Sequence, residues 1–238
     1  MSSHPRPKPK EKDMLDKLSE FFDDKVQPKM KEFEKLLKKD IELDDLTPDK
    51  LLEYDPDSPF SYLSAFLRDK AVASVAPSSK FLVDKMVERM DPGSCPVIVE
   101  FGPAEGVMTR RILHAMPEDG TLMAVELNEN FVKAVKRIRD PRLKVVHGDA
   151  FEIEAHLKAA GLKAPDCLVS GIPFSFFDPP KRLELAETIH RVLSPTGRFV
   201  AFQFTTHLIP VLNKTFRDVD ISLEVRNLPP ALVMTAKK

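Results

Sequence analysis

Short apolar runs recur along the chain from residue 96 onward: PVIVEF (96–101), TLMAVEL (121–127), RLKVVHG (142–148), DCLVSGI (166–172) and RFVAFQFTT (198–206). PVIVEF is apolar at successive positions, so both of its faces need cover. That is the habit of a strand inside a parallel sheet. Helical patterns fall between the runs. PSSKFLVDKMVERM opens on a serine cap and places Phe81, Leu82, Met86 and Met90 at helical spacing. Residues 106–115 continue as helix, NENFVKAVKRIRD is capped by Asn128, and PPKRLELAETIHRVL starts on prolines. A further helix is expected near 207–217. DISLEVRNL and ALVMTAK, separated by two prolines, are joined too tightly to be anything but antiparallel neighbours. The pattern predicts an α/β fold: an open, mostly parallel sheet with helices on both faces and an antiparallel end.

In such a sheet the ligand sits beyond the carboxyl ends of the strands, where the strand order reverses. The chemistry-bearing residues fall at those ends. Glu100 and Gly102 close the first run, Glu126 and Leu127 the second; Asp149 and Ala150 follow the third, and Ser170 and Gly171 close the fourth. Gly102 and Gly106 permit a tight turn and close backbone approach to a ligand. The helix that starts near Glu105 offers unpaired N–H groups to a carboxylate. Glu126 follows at nearly the spacing, roughly 20 residues, of an acid that takes both ribose hydroxyls. Asp149 and Ala150 suit an adenine edge, the acid for the exocyclic amine and the backbone for a ring nitrogen. Each acid alone also fits a helix cap; the ordered set of four favours a nucleoside site.

Composition sets limits. Of 238 residues 42% are hydrophobic, enough for a real core, and the net charge of −1 argues against a polyanion partner. Cys95 and Cys167 make neither a disulfide framework nor a zinc pattern, so reduced structural thiols and no metal are expected. The N-terminus, MSSHPRPKPKEKD, has no apolar signal core, and no run of apolar residues is long enough to span a bilayer, so a cytoplasmic protein is expected.

Residues 1–57 differ from the rest. Residues 1–12 carry four bases against one acid and are expected to be disordered; residues 40–57 carry eight acids against one lysine. Between them Leu15, Leu18, Phe22, Val26, Met30, Phe33 and Leu37 form one apolar helical stripe, with Pro28 as a kink. The stripe fits a helix packed on the body of the protein, or one lying on an anionic membrane. The domain reading is a charged helical extension over 1–57 and a ligand-binding domain over 58–238.

VIVEFGPAEGVMTRRIL, LMAVELNENFVKAVKRI, VVHGDAFEI and DCLVSGIPF resemble the four successive motifs of class I S-adenosylmethionine-dependent methyltransferases. The resemblance covers roughly residues 97–175 in motifs and runs to the C-terminus in fold. It implies a Rossmann-like seven-stranded sheet whose last strand is inserted antiparallel, and S-adenosylmethionine as cofactor. The cofactor turn, with Gly102, Pro103, Ala104 and Gly106, departs from the family's E-x-G-x-G-x-G at Ala104 and Glu105.

A narrower likeness lies in FLRDKAVASVAPSSKFL, SGIPFSFFDPPKRLELAETIHRVLSPTGRFVAFQFT and VRNLPPALV, which are similar to bacterial phospholipid N-methyltransferases. That resemblance implies phosphatidylethanolamine as acceptor, a peripheral place on the inner face of the membrane, an anionic membrane surface as partner, cofactor contacts at Ser78 and Ser79, and Ser170, Gly171, Ile172 and Pro173 as the catalytic segment. The quaternary product is cationic, and aromatic faces bind such groups. Tyr54, Tyr62, Phe174, Phe176 and Phe177 are the rings on offer, with core packing the plainer role for any one Phe. The same motifs resemble ribosomal RNA adenine dimethylases, but the Asn of their N-[LI]-P-[YF] is absent here and the net charge argues against RNA. A small-molecule N-methyltransferase, a cofactor-binding module without catalysis and a lipid-surface interaction protein remain open from sequence.

Overall fold

The computed structural model describes residues 78–227 and 230–238. The extension over 1–57, its boundary at residue 58, and Tyr54 and Tyr62 lie outside these residues.

The first helix, α1 (Lys80–Met90), begins where Ser79 Oγ accepts a hydrogen bond from the Leu82 N–H at 3.2 Å, so Ser79 is the cap. Its stripe of Leu82, Val83, Met86 and Met90 is buried. It stops at Asp91, whose N–H still bonds the Val87 carbonyl while its left-handed backbone (φ 48°) turns the chain away, and Pro92 cannot continue the helix.

Five parallel strands follow: β1 (Val97–Phe101), β2 (Thr121–Glu126), β3 (Leu143–His147), β4 (Cys167–Ser170) and β5 (Arg198–Gln203). The helices between them are α2 (Val107–Ala115), α3 (Glu129–Val135), α4 (Ile153–Ala159) and α5 (Pro179–Val192), and α6 (Ile209–Thr215) leads to the end of the sheet. The terminal strands β6 (Asp218–Glu224) and β7 (Ala231–Lys237) pair antiparallel, and β7 also runs antiparallel to β5. The sheet has seven strands in the order β3-β2-β1-β4-β5-β7-β6. The expected α/β sheet and its antiparallel end are therefore present.

Asn128 caps α3 by accepting from the Asn130 and Phe131 N–H groups, and Asp178 caps α5. The helix α4 in the third crossover is one the apolar pattern does not single out. It has seven residues and buries only Ile153 and Leu157, too short a stripe to read.

On one face of the sheet, α1 and α2 cover Ile98, Leu122, Val169, Val200 and Phe202. Cys95 and Cys167 are buried in the same core, both as free thiols. On the other face Phe199 packs against Phe174 (centroids 6.0 Å) and Phe216 (6.3 Å). Truncating a ring such as Phe199, which has no exposed surface, to alanine costs about 3–5 kcal/mol. The strand order reverses between β1 and β4, so a crevice opens above their carboxyl ends.

Candidate cofactor and acceptor site

The crevice is a cleft that opens to solvent. Ser78, Glu100, Gly102, Pro103, Ala104 and Gly171 contribute to its lining, and Val83, Met86, Val107, Met108 and Phe202 make much of it apolar. Its position follows from the topology: β1 delivers Glu100 and the turn, β4 delivers Gly171, and α1 closes one side.

The turn after β1 is built on left-handed backbone at three alternate positions: Gly102 (φ 68°), Ala104 (φ 48°) and Gly106 (φ 79°). At Gly102 a side chain is disfavoured for a second reason, since a Cβ there would stand 2.7 Å from Ile172 Cγ2, which would have to move. Ala104 is the exception to glycine, and left-handed backbone costs an L-residue roughly 1–2 kcal/mol. Two bonds offset this. The Gly106 N–H donates to the Pro103 carbonyl at 2.8 Å, and the Ala104 N–H donates to Glu126 Oε2 at 3.1 Å.

Glu126 is thereby oriented by main chain on both sides, because its Oε1 accepts from the Asn128 N–H at 2.9 Å. A carboxylate accepts at two oxygens, which is the chemistry that a diol's two donors match. Glu100 is almost wholly buried and accepts a 2.7 Å hydrogen bond from the Thr109 hydroxyl. Burial raises its carboxyl to about 7; the Thr109 bond opposes the rise and the nearby Glu126 charge adds to it.

Glu126, Leu127, Asp149 and Ala150 do not line this cleft; they lie along the adjoining strand ends of β2 and β3. Asp149 is exposed, its Oδ1 accepts from the Phe151 N–H at 3.0 Å, and its carbonyl pairs with His156 Nε2 at 3.0 Å. One of its carboxylate oxygens thus serves as a turn cap. Ser79 acts as the cap of α1, and its own N–H donates to Asn227 Oδ1 at 2.8 Å.

The segment after β4 reaches the cleft at Gly171. Ser170 is fully buried and its Oγ accepts from the Ile172 N–H at 3.3 Å; the Gly171 N–H donates to the Phe101 carbonyl at 3.0 Å. Ser170, Gly171, Ile172 and Pro173 are therefore held beside the cofactor turn. Of the rings expected to meet a substrate, Phe174 has no exposed surface and is spent on the core, the plainer of its two roles. Phe177 packs edge-on against Phe151 (5.3 Å) and Phe174 (5.9 Å), whereas Phe176 is 59% exposed.

Residues outside the sequence reading complete the site. Thr109 meets Glu100, Phe202 lines the cleft, and Gln203 and Arg182 bind the main chain of the segment after β4. One signal was legible for Gln203: a polar residue ending an otherwise apolar strand.

No known family profile matches the chain. The chain is 28% identical over 179 residues to an ornithine lipid N-methyltransferase of Singulisphaera acidiphila, covering 72% of this chain and 92% of that protein. It is 29% identical over 173 residues to a probable ribosomal RNA small subunit methyltransferase A of Pyrobaculum islandicum, covering 69% of this chain but 62% of that one. Among solved structures, Burkholderia thailandensis 1,6-didemethyltoxoflavin-N1-methyltransferase, solved with S-adenosylhomocysteine, superimposes with a TM-score of 0.55 at 20% identity, over 76% of this chain and 86% of the other. With its seven-stranded sheet and antiparallel end, and with these similarities, the chain has the class I S-adenosylmethionine-dependent methyltransferase fold.

Proposed function

We propose that this protein is an S-adenosylmethionine-dependent N-methyltransferase whose acceptor is the amine of a membrane lipid headgroup. The observation that carries the reading is the switch-point cleft, where the Gly102–Gly106 turn, the buried Glu100 and the 170–174 segment converge. The glycine turn and the Glu126 carboxylate, fixed by two N–H groups, are the parts a nucleoside with a carboxylate tail requires. When bound, S-adenosylmethionine supplies an electrophilic methyl group.

The chain's own residues do the rest by positioning and by exclusion of water. An aliphatic ammonium has a pKa near ~10, judged by lysine, and only the neutral amine attacks. The apolar wall of Val83, Met86, Val107, Met108 and Phe202 disfavours the charged form and so favours that amine.

Lipid is preferred over RNA on length and charge. The similarity spans 92% of the ornithine lipid enzyme but 62% of the Pyrobaculum RNA enzyme, and the net charge is −1. Phosphatidylethanolamine and ornithine lipids share the relevant chemistry, an amine beside an anionic group. The stripe from Leu15 to Leu37, with lysines after Pro28, would bring the chain to an anionic surface. No helix among the described residues is long and apolar enough to cross a membrane.

Incubation with methyl-labelled S-adenosylmethionine tests the proposal. Separate pools of phosphatidylethanolamine vesicles, ornithine lipid vesicles, RNA and polyamine serve as acceptors. Label in a lipid pool supports the reading and identifies the headgroup; label confined to RNA or polyamine overturns it. For the membrane, reversing Lys29 and Lys31 to glutamate in the full chain should weaken sedimentation with anionic vesicles, most at low salt. Equal sedimentation would remove the stripe from that role.

A further inference from the structure

We propose that Gln203 is the positioning residue of the acceptor segment, and that its carboxamide, with one donor end and one acceptor end, is what that segment requires. The proposal rests on the reading of the chain as an N-methyltransferase. Gln203 ends β5 and is nearly fully buried. Its Nε2 donates to the Ile172 carbonyl at 2.9 Å, and its Oε1 accepts from the Phe174 N–H at 3.0 Å. The two partners fix the amide's orientation, since a carbonyl can only accept and a main-chain N–H can only donate. Pro173, between them, has no N–H and cannot close the segment by itself.

The clamp reaches the cofactor turn in one step. Ile172 packs where any Cβ on Gly102 would stand, 2.7 Å from Ile172 Cγ2. Holding the Ile172 carbonyl therefore sets how the acceptor segment sits on the turn below it. Arg182 adds a second restraint farther along, donating from Nε to the Phe174 carbonyl and from Nη2 to the Phe177 carbonyl, each at 3.0 Å. Arg182 restrains carbonyls alone; Gln203 also takes the Phe174 N–H, which Arg182 cannot. The charged groups around the segment include this guanidinium, the Asp178 carboxylate that follows Phe177 and caps α5, and the Glu100 carboxyl, which lines the cleft together with Gly171.

The substitution Gln203→Glu separates positioning from mere bulk. An ionised carboxylate has two acceptor ends and opposes the Ile172 carbonyl with negative charge. A protonated one has a donor and an acceptor and restores the native pattern. The experiment measures kcat and cofactor affinity for wild type, Q203E and Q203L across about pH 6 to 9, expressing each variant as a ratio to wild type so that ionisation of the substrate amine cancels. Amide exchange of residues 171–177 is followed in parallel.

The expected result is a Q203E kcat ratio that falls about 10- to 100-fold at high pH and recovers as pH falls. Q203L should be low throughout, with cofactor affinity in both variants within about threefold of wild type. Faster exchange at Phe174 should accompany the loss. A Q203E ratio that is flat with pH, or exchange at Phe174 equal to that of wild type, overturns the proposal. If wild type itself transfers methyl to no acceptor, the functional reading fails, and exchange at Phe174 in Q203E still decides whether the clamp exists.

Discussion

Asn227 Oδ1 accepts the main-chain N–H of Ser79 at 2.8 Å across 148 residues of sequence. The bond joins the entry to α1 with the segment that leaves β6. Around it, Lys85 Nζ donates to the Leu223 carbonyl at 2.9 Å, and the Arg226 guanidinium lies 4.4 Å over the Phe81 ring while pairing with Glu224. Helix α1 is thus fixed against the antiparallel end of the sheet, and Ser78, one residue before the bond, lines the cleft.

Asn227→Ala should destabilise the fold by about 1–2 kcal/mol, because it leaves the Ser79 N–H without its partner in a partly buried place. It should also raise the KM for S-adenosylmethionine, since Ser78 loses its anchor. Chemical denaturation and steady-state kinetics measure the two effects. A stability loss with no change in KM would restrict the bond to folding.

The turn makes a separate claim. Ala104 sits at φ 48°, where glycine carries no steric cost. Ala104→Gly relieves roughly 1–2 kcal/mol of left-handed strain and gives back about 0.5–1 kcal/mol in unfolded-chain entropy. Stability should be unchanged or slightly higher, and cofactor affinity equal or better. Ala104→Val, branched at Cβ in the same backbone, should lose both. Calorimetric titration distinguishes them; a clear affinity loss in Ala104→Gly would mean that the turn is built around the methyl group.

Much of this architecture was legible because buried parallel strands and capped helices write strong local signals. The strand runs, the serine and Asn128 caps, the prolines that start α5 and the left-handed glycines are set by neighbours in sequence. What stayed hidden depends on distant partners. Nothing local distinguishes Gln203 from any polar residue at a strand end, or pairs Asn227 with Ser79. The role of Phe174 was equally hidden, because an aromatic ring beside a site and one beneath it look alike in sequence. Conversely, Asp149 looked like a ligand group, and the structure shows one of its oxygens already engaged in a turn cap.

Glu126→Ala should weaken S-adenosylmethionine binding by about 1–3 kcal/mol through ribose hydroxyls left unpaired. It also releases the Ala104 and Asn128 N–H groups, so Glu126→Gln is the sharper variant. Its amide oxygen can keep one N–H partner while its NH₂ opposes the other, and affinity should fall with the fold intact by circular dichroism. Unchanged affinity in both variants would remove Glu126 from the cofactor site.

Glu100 gives a pH signature. Its ordinary value is 4.5 and burial raises it to about 7, against the hydrogen bond from Thr109. The folded state therefore holds this proton more tightly than the unfolded chain does. Stability from Glu100 is fully present below about pH 4.5 and is lost as pH rises through about 7, by roughly 3 kcal/mol in all. Cys95, lowered to about 7 chiefly by its hydrogen bond with Cys167, works in the opposite sense at higher pH. The Glu100 effect is best isolated by difference. Glu100→Gln keeps the acceptor for Thr109 and cannot ionise, so between pH 4.5 and 7 its unfolding free energy should decline less steeply than that of wild type. Urea denaturation at half-unit pH steps gives both curves. Parallel curves would show that Glu100 is ionised throughout. A cationic cofactor in the cleft should moreover favour the ionised form. S-adenosylmethionine binding near pH 6.5 is then expected to release a proton, seen as a dependence of calorimetric heat on the buffer's ionisation enthalpy, and that dependence should vanish in Glu100→Gln.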